Sequence, residues 1–269
     1  MSLKIVVLAK QVPDTRNVGK DAMTAEGTVN RAALPAIFNP EDLNALEQAL
    51  RLKEQNPGST VGILTMGPPR AGEIIRQGLY RGADTGWLLT DRLFAGADTL
   101  ATSYALATGI QKIGDVDIVI GGRQAIDGDT AQVGPQIAEH LGIPVISYAQ
   151  EINVDEANKT VTVKRQYDDR YHMVEAKMPC LITALAELNE PRYMTPGGIF
   201  DACKAEITTW GRADLKDVED GNLGLAGSPT KIAKASDKVR KGAGEKVTPD
   251  SPEDAVSYIV GKLNEKHAI

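Results

Sequence analysis

The chain has 269 residues, 42% of them hydrophobic and 25% charged, with a net charge of −6, enough apolar material for one large core, or a core with an appendage, in a soluble protein. A mildly acidic chain with 4% aromatic residues lacks the electrostatic footprint and stacking platforms of a nucleic-acid binder. Two isolated cysteines, Cys180 and Cys203, exclude a disulfide framework and point to a reducing, cytoplasmic compartment, while His140, His172 and His267 stand too far apart for a zinc-type spacing and no serine has a G-x-S-x-G context.

Leu3 to Ala9 reads as a first buried strand: it is too short for a signal peptide, it carries Lys4, and no later run approaches transmembrane length, so membrane insertion is not expected. Further apolar runs at Ile5 to Leu8, Val61 to Met66, Trp87 to Thr90, Ile118 to Ile120 and Val145 to Tyr148 alternate with helical patterns at Leu43 to Gln55, Ala71 to Tyr80, Thr99 to Ile113 and Ala131 to Leu141. This alternation predicts an α/β fold with a parallel sheet covered by helices on both faces. In the first helix Leu43, Leu46, Ala49 and Leu50 share a face, Pro40 suits the first turn, Asn39 is the expected cap, and Glu41 and Asp42 favour the helix dipole.

Past residue 150 the pattern becomes antiparallel. Thr160 to Val163 and Tyr171 to Glu175 alternate around Asp168-Asp169 as a hairpin added to the sheet, and Cys180 to Leu185 reads as one more buried strand. From Ala213 onward apolar content falls until a short helix at Pro252 to Asn264. The expected division is therefore a domain over residues 1–212 and an arm over 213–269 with too little apolar surface for its own core.

The most informative run is Ile118 to Gly134, where a buried strand leads through a polar, glycine-rich turn to a helix start at the sheet's carboxyl end, where open α/β sheets bind ligands. Gly121, Gly122 and Gly128 permit tight backbone, and Asp129 or Thr130 can cap the next helix while its first N–H groups meet a phosphate. Thr130 and Gln132 add neutral donors. The same residue types also build a plain strand-to-helix connection, and the run has neither a Walker lysine nor a GxGxxG spacing, which counts against an ATP-using protein. A second candidate precedes the helix at Thr99: small and polar residues from Phe94 to Thr102 could hold a second phosphate, with Asp98 as an ordinary cap the plain alternative. Met66-Gly67-Pro68-Pro69 follows a strand and offers backbone groups to an adenine or ribose. With no hydrolytic constellation, any chemistry would be carried by a bound cofactor.

Four segments, Val6 to Asp14, Phe38 to Asp42, Gly122 to Thr130 and Asn189-Glu190-Pro191-Arg192-Tyr193, together resemble the β subunit of the electron transfer flavoproteins, in family order and across nearly the whole chain. The resemblance implies a Rossmann-like, doubly wound parallel sheet, an α-subunit partner embraced by the C-terminal arm, and a nucleotide near Ala9, Asn39, Met66 and the loop that contains Gly122, Arg123, Gln124, Asp129, Thr130, Ala131, Gln132 and Val133. That nucleotide is a structural AMP in non-bifurcating members and a second FAD in electron-bifurcating ones. Ala97 to Ser103 resembles the bifurcating kind, which implies that Asp98, Thr99 and Thr102 line a diphosphate region with Asp129, Thr130 and Gln132. Ala131-Gln132-Val133 stands where AMP-binding members carry Asn-Gln-Thr, which weakens the AMP match. The implied activity takes electrons from NADH to ferredoxin or flavodoxin and to an acyl-CoA dehydrogenase-type partner, with Arg123 as a positive group near the flavin or, alternatively, a plain salt-bridge residue. Family members also place a protruding leucine a few residues past the Asn189–Tyr193 motif. Here Pro196 occupies about that position, and Met194, Ile199 or Phe200 are the candidate anchors of a docking loop near 189–200.

Overall fold

The computed structural model describes residues 2–14, 35–230, 242 and 244–269, and the chain divides into two compact units, Met1–Lys234 and Ala235–Ile269. In the first, strands β1 (Lys4–Leu8), β4 (Thr60–Met66), β5 (Thr85–Leu89), β6 (Ile118–Gly122), β7 (Val145–Asp155), β8 (Thr160–Gln166), β9 (Tyr171–Lys177), β10 (Cys180–Ala184) and β11 (Thr208–Trp210) form one sheet in the order β11-β5-β4-β1-β6-β10-β7-β8-β9. Every pairing from β11 through β7 is parallel, while β7-β8 and β8-β9 are antiparallel. The short strands β2 (Gln11–Pro13) and β3 (Ala36–Phe38) pair separately, antiparallel.

Helices α1 (Pro40–Gln55) and α2 (Gly72–Leu79) cover one face of the sheet; α3 (Thr99–Ile113) and α4 (Val133–Leu141) cover the other. The side-chain alternation of β1 shows why: Ile5 and Val7 pack with Leu46, Leu50 and Ile75, whereas Val6 and Leu8 pack with Leu106, Ile110 and Ile137. A strand buried on both sides reads as an unbroken apolar run, and each such side chain contributes about 1.5–3 kcal/mol by leaving water.

The helices begin and end close to where the sequence pattern places them, but three features differ. Strand β7 runs to Asp155, well past Tyr148: at Tyr148 the backbone turns left-handed (φ 64°) and the register shifts, so the strand leaves its parallel partner β10 and continues antiparallel to β8. The expected hairpin is thus the outer part of a three-stranded meander. Helix α4 starts at Val133 and not at Ala131, because Asp129 and Ala131 are left-handed (φ 50° and 53°). The boundary expected at 212–213 is overturned as well. Leu215, Val218 and Leu223 are buried in the α3/α4 core, Ser228 accepts from the Asp98 N–H and Thr230 N–H donates to the Asp98 carboxylate, so the segment up to Thr230 belongs to the first unit.

In the second unit, helix α6 (Pro252–Glu265) is capped by Ser251, whose hydroxyl accepts from Asp254 N–H. Its Val256, Ile259, Val260 and Leu263 are exposed. Among the described residues no helix is long and apolar enough to cross a membrane.

Candidate functional site

A cavity of about 850 Å³ opens at the carboxyl ends of β1, β4 and β6. The chain passes from β1 through α1 to β4 on one side and reaches β6 on the other, so this is the point where strand order reverses and loops part to leave a crevice. Ala9, Met66, Asp98, Thr99, Thr102, Gly122, Arg123, Gln124, Asp129, Thr130, Ala131, Gln132 and Val133 all line it. Asn39 does not stand on the wall. It is fully buried behind the loop, where its carboxamide donates to Gln124 O (2.9 Å) and accepts from Ile126 N–H (3.1 Å). That use also corrects its expected role, since it occupies the cap position of α1 without a side-chain cap bond.

The next two acids on α1 complete this clasp. Asp42 accepts Lys10 N–H (2.8 Å) and Gly122 N–H (3.0 Å), tying the ends of β1 and β6 together, and Glu41 accepts Gln124 N–H (3.0 Å) and pairs with the Arg123 guanidinium (2.9 Å). Burial pushes the Asp42 carboxyl up to about 7 against the hydrogen bonds from Asn39, Lys10 and Gly122. Burial likewise raises Glu41, against the pull of the Gln124 amide and Arg123. The sequence pattern assigned both acids to the helix dipole; Asp42 in fact lines the cavity, a role that depends on a contact 80 residues away in the chain. Gly122 is required by the clasp: a Cβ there would lie 2.4 Å from Asp42 Oδ1 and 2.8 Å from the Glu41 backbone.

The loop itself is shaped by residues other than its glycines. The left-handed positions are Asp129 and Ala131, while Gly121 and Gly128 adopt ordinary φ. Gln124 Nε2 bonds Asp129 Oδ1 (2.9 Å), and Lys10 Nζ reaches the nearly buried Asp127 (2.6 Å). Neither Asp129 nor Thr130 caps α4. Gln132 takes the cap position and makes no side-chain cap bond, so the Val133 and Gly134 N–H groups of the first turn have no side-chain acceptor from the cap. Gly134 lets this turn approach β10, since a Cβ would lie 2.8 Å from Thr183 Cγ2.

The two helix starts facing the cavity therefore differ electrically. At α3 the Asp98 carboxylate accepts the Leu100 and Ala101 N–H groups and Thr230 N–H. Burial opposes its charge, but these donors outweigh it and hold the group below the ordinary carboxylate range. An anion is favoured at the uncapped, neutral start of α4 and disfavoured beside the Asp98 charge. Thr99 spans the gap, its hydroxyl donating to Gln132 Oε1 at 2.8 Å. Further along the wall, Phe94 opens the second expected run, whereas Thr90, Asp91 and Arg92 were not anticipated from the sequence. Asp91 caps its own turn through Leu93 N–H and also accepts from Arg212 N–H, a contact 121 residues away that no local pattern reveals.

Away from the cavity, the Asn189–Tyr193 motif is locked to α1. Arg192 pairs with Glu47 (2.7 Å) and Glu54 (2.5 Å), and Glu47 also holds Arg51 (2.7 Å). Beyond it, Tyr193 and Phe200 are 90% and 86% exposed, Met194 and Ile199 about 40%, and a short helix α5 (Pro196–Ala202) carries the loop tip. Tyr193 and Phe200 stand almost wholly in solvent, whereas Met194 and Ile199 are partly covered.

The electron transfer flavoprotein domain model matches residues 26–215. The chain is 51% identical over 268 residues to the electron transfer flavoprotein subunit beta of Clostridium acetobutylicum, covering 99% of this chain and 100% of that one. It is 48% identical over 267 residues to the caffeyl-CoA reductase-Etf complex subunit CarD of Acetobacterium woodii, with the same coverage. Against the acryloyl-CoA reductase electron transfer subunit gamma of Anaerotignum propionicum it is 44% identical over 273 residues, again across 99% of this chain and 100% of the relative.

Proposed function

The chain belongs to the electron transfer flavoprotein family as a β-subunit-type member that works with an α subunit, and from that premise we propose that its cavity binds FAD and that the complex bifurcates electrons from NADH. The observation that carries this reading is the 850 Å³ cavity at the sheet's reversal point, closed on one side by the uncapped start of α4. Small-molecule sites span roughly 300–1,000 Å³, so a volume near the top of that range suits a dinucleotide better than a mononucleotide.

In this reading the N–H groups of Val133 and Gly134 and the Gln132 carboxamide receive the phosphates, Met66 and Ala9 border the adenosine side, and Arg123 stands on the wall where a flavin ring would lie. A flavin held there supplies the exchange of a hydride from NADH for single electrons. The chain's own part is to position: the Asn39, Glu41 and Asp42 clasp fixes the loop, and the Glu41–Arg123 pair sets the local charge. The bound flavin would supply electrons to a low-potential acceptor such as ferredoxin or flavodoxin and, through the α subunit, to an acyl-CoA dehydrogenase-type partner, for which the exposed Tyr193–Phe200 loop would be the docking surface. The names of the caffeyl-CoA and acryloyl-CoA reductase relatives support a partner of that class. Helix α6, with its exposed apolar face, is the part of the arm that grips the α subunit. The free thiols of Cys180 and Cys203 suit a reducing cytoplasm.

Extraction and quantification of nucleotides from the purified αβ complex tests the reading. Two FAD per heterodimer without AMP, followed by NADH-dependent ferredoxin reduction, is the expected result; one FAD and one AMP would make the protein a non-bifurcating carrier.

A further inference from the structure

On the reading that the cavity binds a nucleotide, we propose that Thr99 is a positioning residue that turns the Gln132 carboxamide into a phosphate donor, so that a hydroxyl on α3 completes the anion site of α4. Both residues line the cavity. The start of α3 is itself spent: Asp98 takes the Leu100 and Ala101 N–H groups and places a negative charge there. At α4 the residue in the cap position is Gln132, whose side chain does not bend back onto its own helix. Its Oε1 accepts the Thr99 hydroxyl at 2.8 Å.

A carboxamide is planar, with an acceptor oxygen at one end and an NH₂ group carrying two in-plane N–H donors at the other. With the oxygen engaged by Thr99, the NH₂ end is the one left for the cavity. Without that hydroxyl two competing arrangements open: the amide flips and presents oxygen to an anion, or it folds back to cap α4 and consumes the N–H groups a phosphate would use. Thr99 holds the carboxamide out against the second, and by donating to Oε1 it leaves the NH₂ end as the one free for an anion. It acts through Gln132, which distinguishes this role from direct contact with the diphosphate.

The αβ complex, stripped of nucleotide, is titrated calorimetrically with FAD and, separately, with AMP. For whichever nucleotide the wild type binds, Thr99→Val weakens binding roughly tenfold, the size of one oriented hydrogen bond to a charged group, while Thr99→Ser restores it. Gln132→Ala shows a similar loss, and Thr99→Val adds little on that background, because the two residues form one unit. Melting temperatures of the variants stay near the wild-type value, since the bond lies at the surface. Equal binding by wild type and Thr99→Val, failure of serine to rescue, or fully additive losses would overturn the positioning role alone. Uptake of neither nucleotide by the wild type overturns the nucleotide reading on which it rests.

Discussion

Asn44 and Asn189 each donate a side-chain amide to the other's backbone carbonyl, at 2.6 and 3.0 Å, closing a two-bond ring between the middle of α1 and the segment that leads to the exposed loop. Both residues are needed, so Asn189→Ala should cost about 1–3 kcal/mol, the penalty for stranding partly buried polar groups. Thermal unfolding measures the loss, and unchanged stability would mean that water replaces the ring.

Glu47 is the hub that holds Arg192 and Arg51. Burial tends to raise its carboxyl, but the hydrogen bonds from the two arginines win and leave it below its ordinary value of 4.5. A depressed folded-state value means that the stabilisation is complete above about pH 4.5 and fades as acid protonates the folded protein. The stability gap between wild type and Glu47→Gln should therefore be widest near neutrality and shrink below pH 4.5, as followed by denaturant unfolding at stepped pH.

Asp42 runs the other way. Its folded-state value of about 7 lies above its ordinary 3.8, so the native state holds a proton that the unfolded chain has released. This group's contribution is greatest below about pH 3.8, falls as pH rises toward 7, and is flat beyond. In Asp42→Asn that slope between pH 4 and 7 should disappear. A variant retaining the wild-type slope would assign it to another group.

Gly122→Ala and Gly128→Ala should separate sharply although both lie in the same loop. The first drives a methyl into Asp42 and the Glu41 backbone, whereas the second meets nothing within 4 Å. Overpacking of this kind costs about 1–3 kcal/mol, and nucleotide content should fall with Gly122→Ala and hold with Gly128→Ala.

Phe200, 86% exposed on α5, should affect docking without affecting folding. Phe200→Ala is expected to weaken the complex with an acyl-CoA dehydrogenase-type partner roughly tenfold or more, as apolar anchors do, at unchanged melting temperature. Binding by the purified complex, read by surface plasmon resonance, checks both parts.

Periodicity and burial hydrophobicity were enough to read the layered α/β order, because strands buried on two faces and helices with one apolar face leave local marks: Val6 to Leu8, Leu46 with Leu50, and Ile118 to Ile120 all fell where the pattern put them. The cavity wall was legible to a similar degree, since loops at the carboxyl ends of parallel strands converge whatever their detailed shape. Several roles within the site were not. Asn39 looked like a cap and is a loop clasp, and the expected strain in glycines sits instead in Asp129 and Ala131.

By itself, then, the sequence determined the elements, their order and the end of the sheet where a ligand belongs, all of which follow from short-range pattern and the handed geometry of parallel strands. Only the tertiary structure decided which polar group serves which. Asp98 caps one helix while Gln132 leaves the other open, Asp42 joins two strand ends, and β7 changes partners at Tyr148. The Asp42 tie and the β7 switch depend on partners brought from distant parts of the chain, while at the two helix starts the folded loop decided which of several local arrangements the side chain adopts, and no local mark reveals either kind of choice.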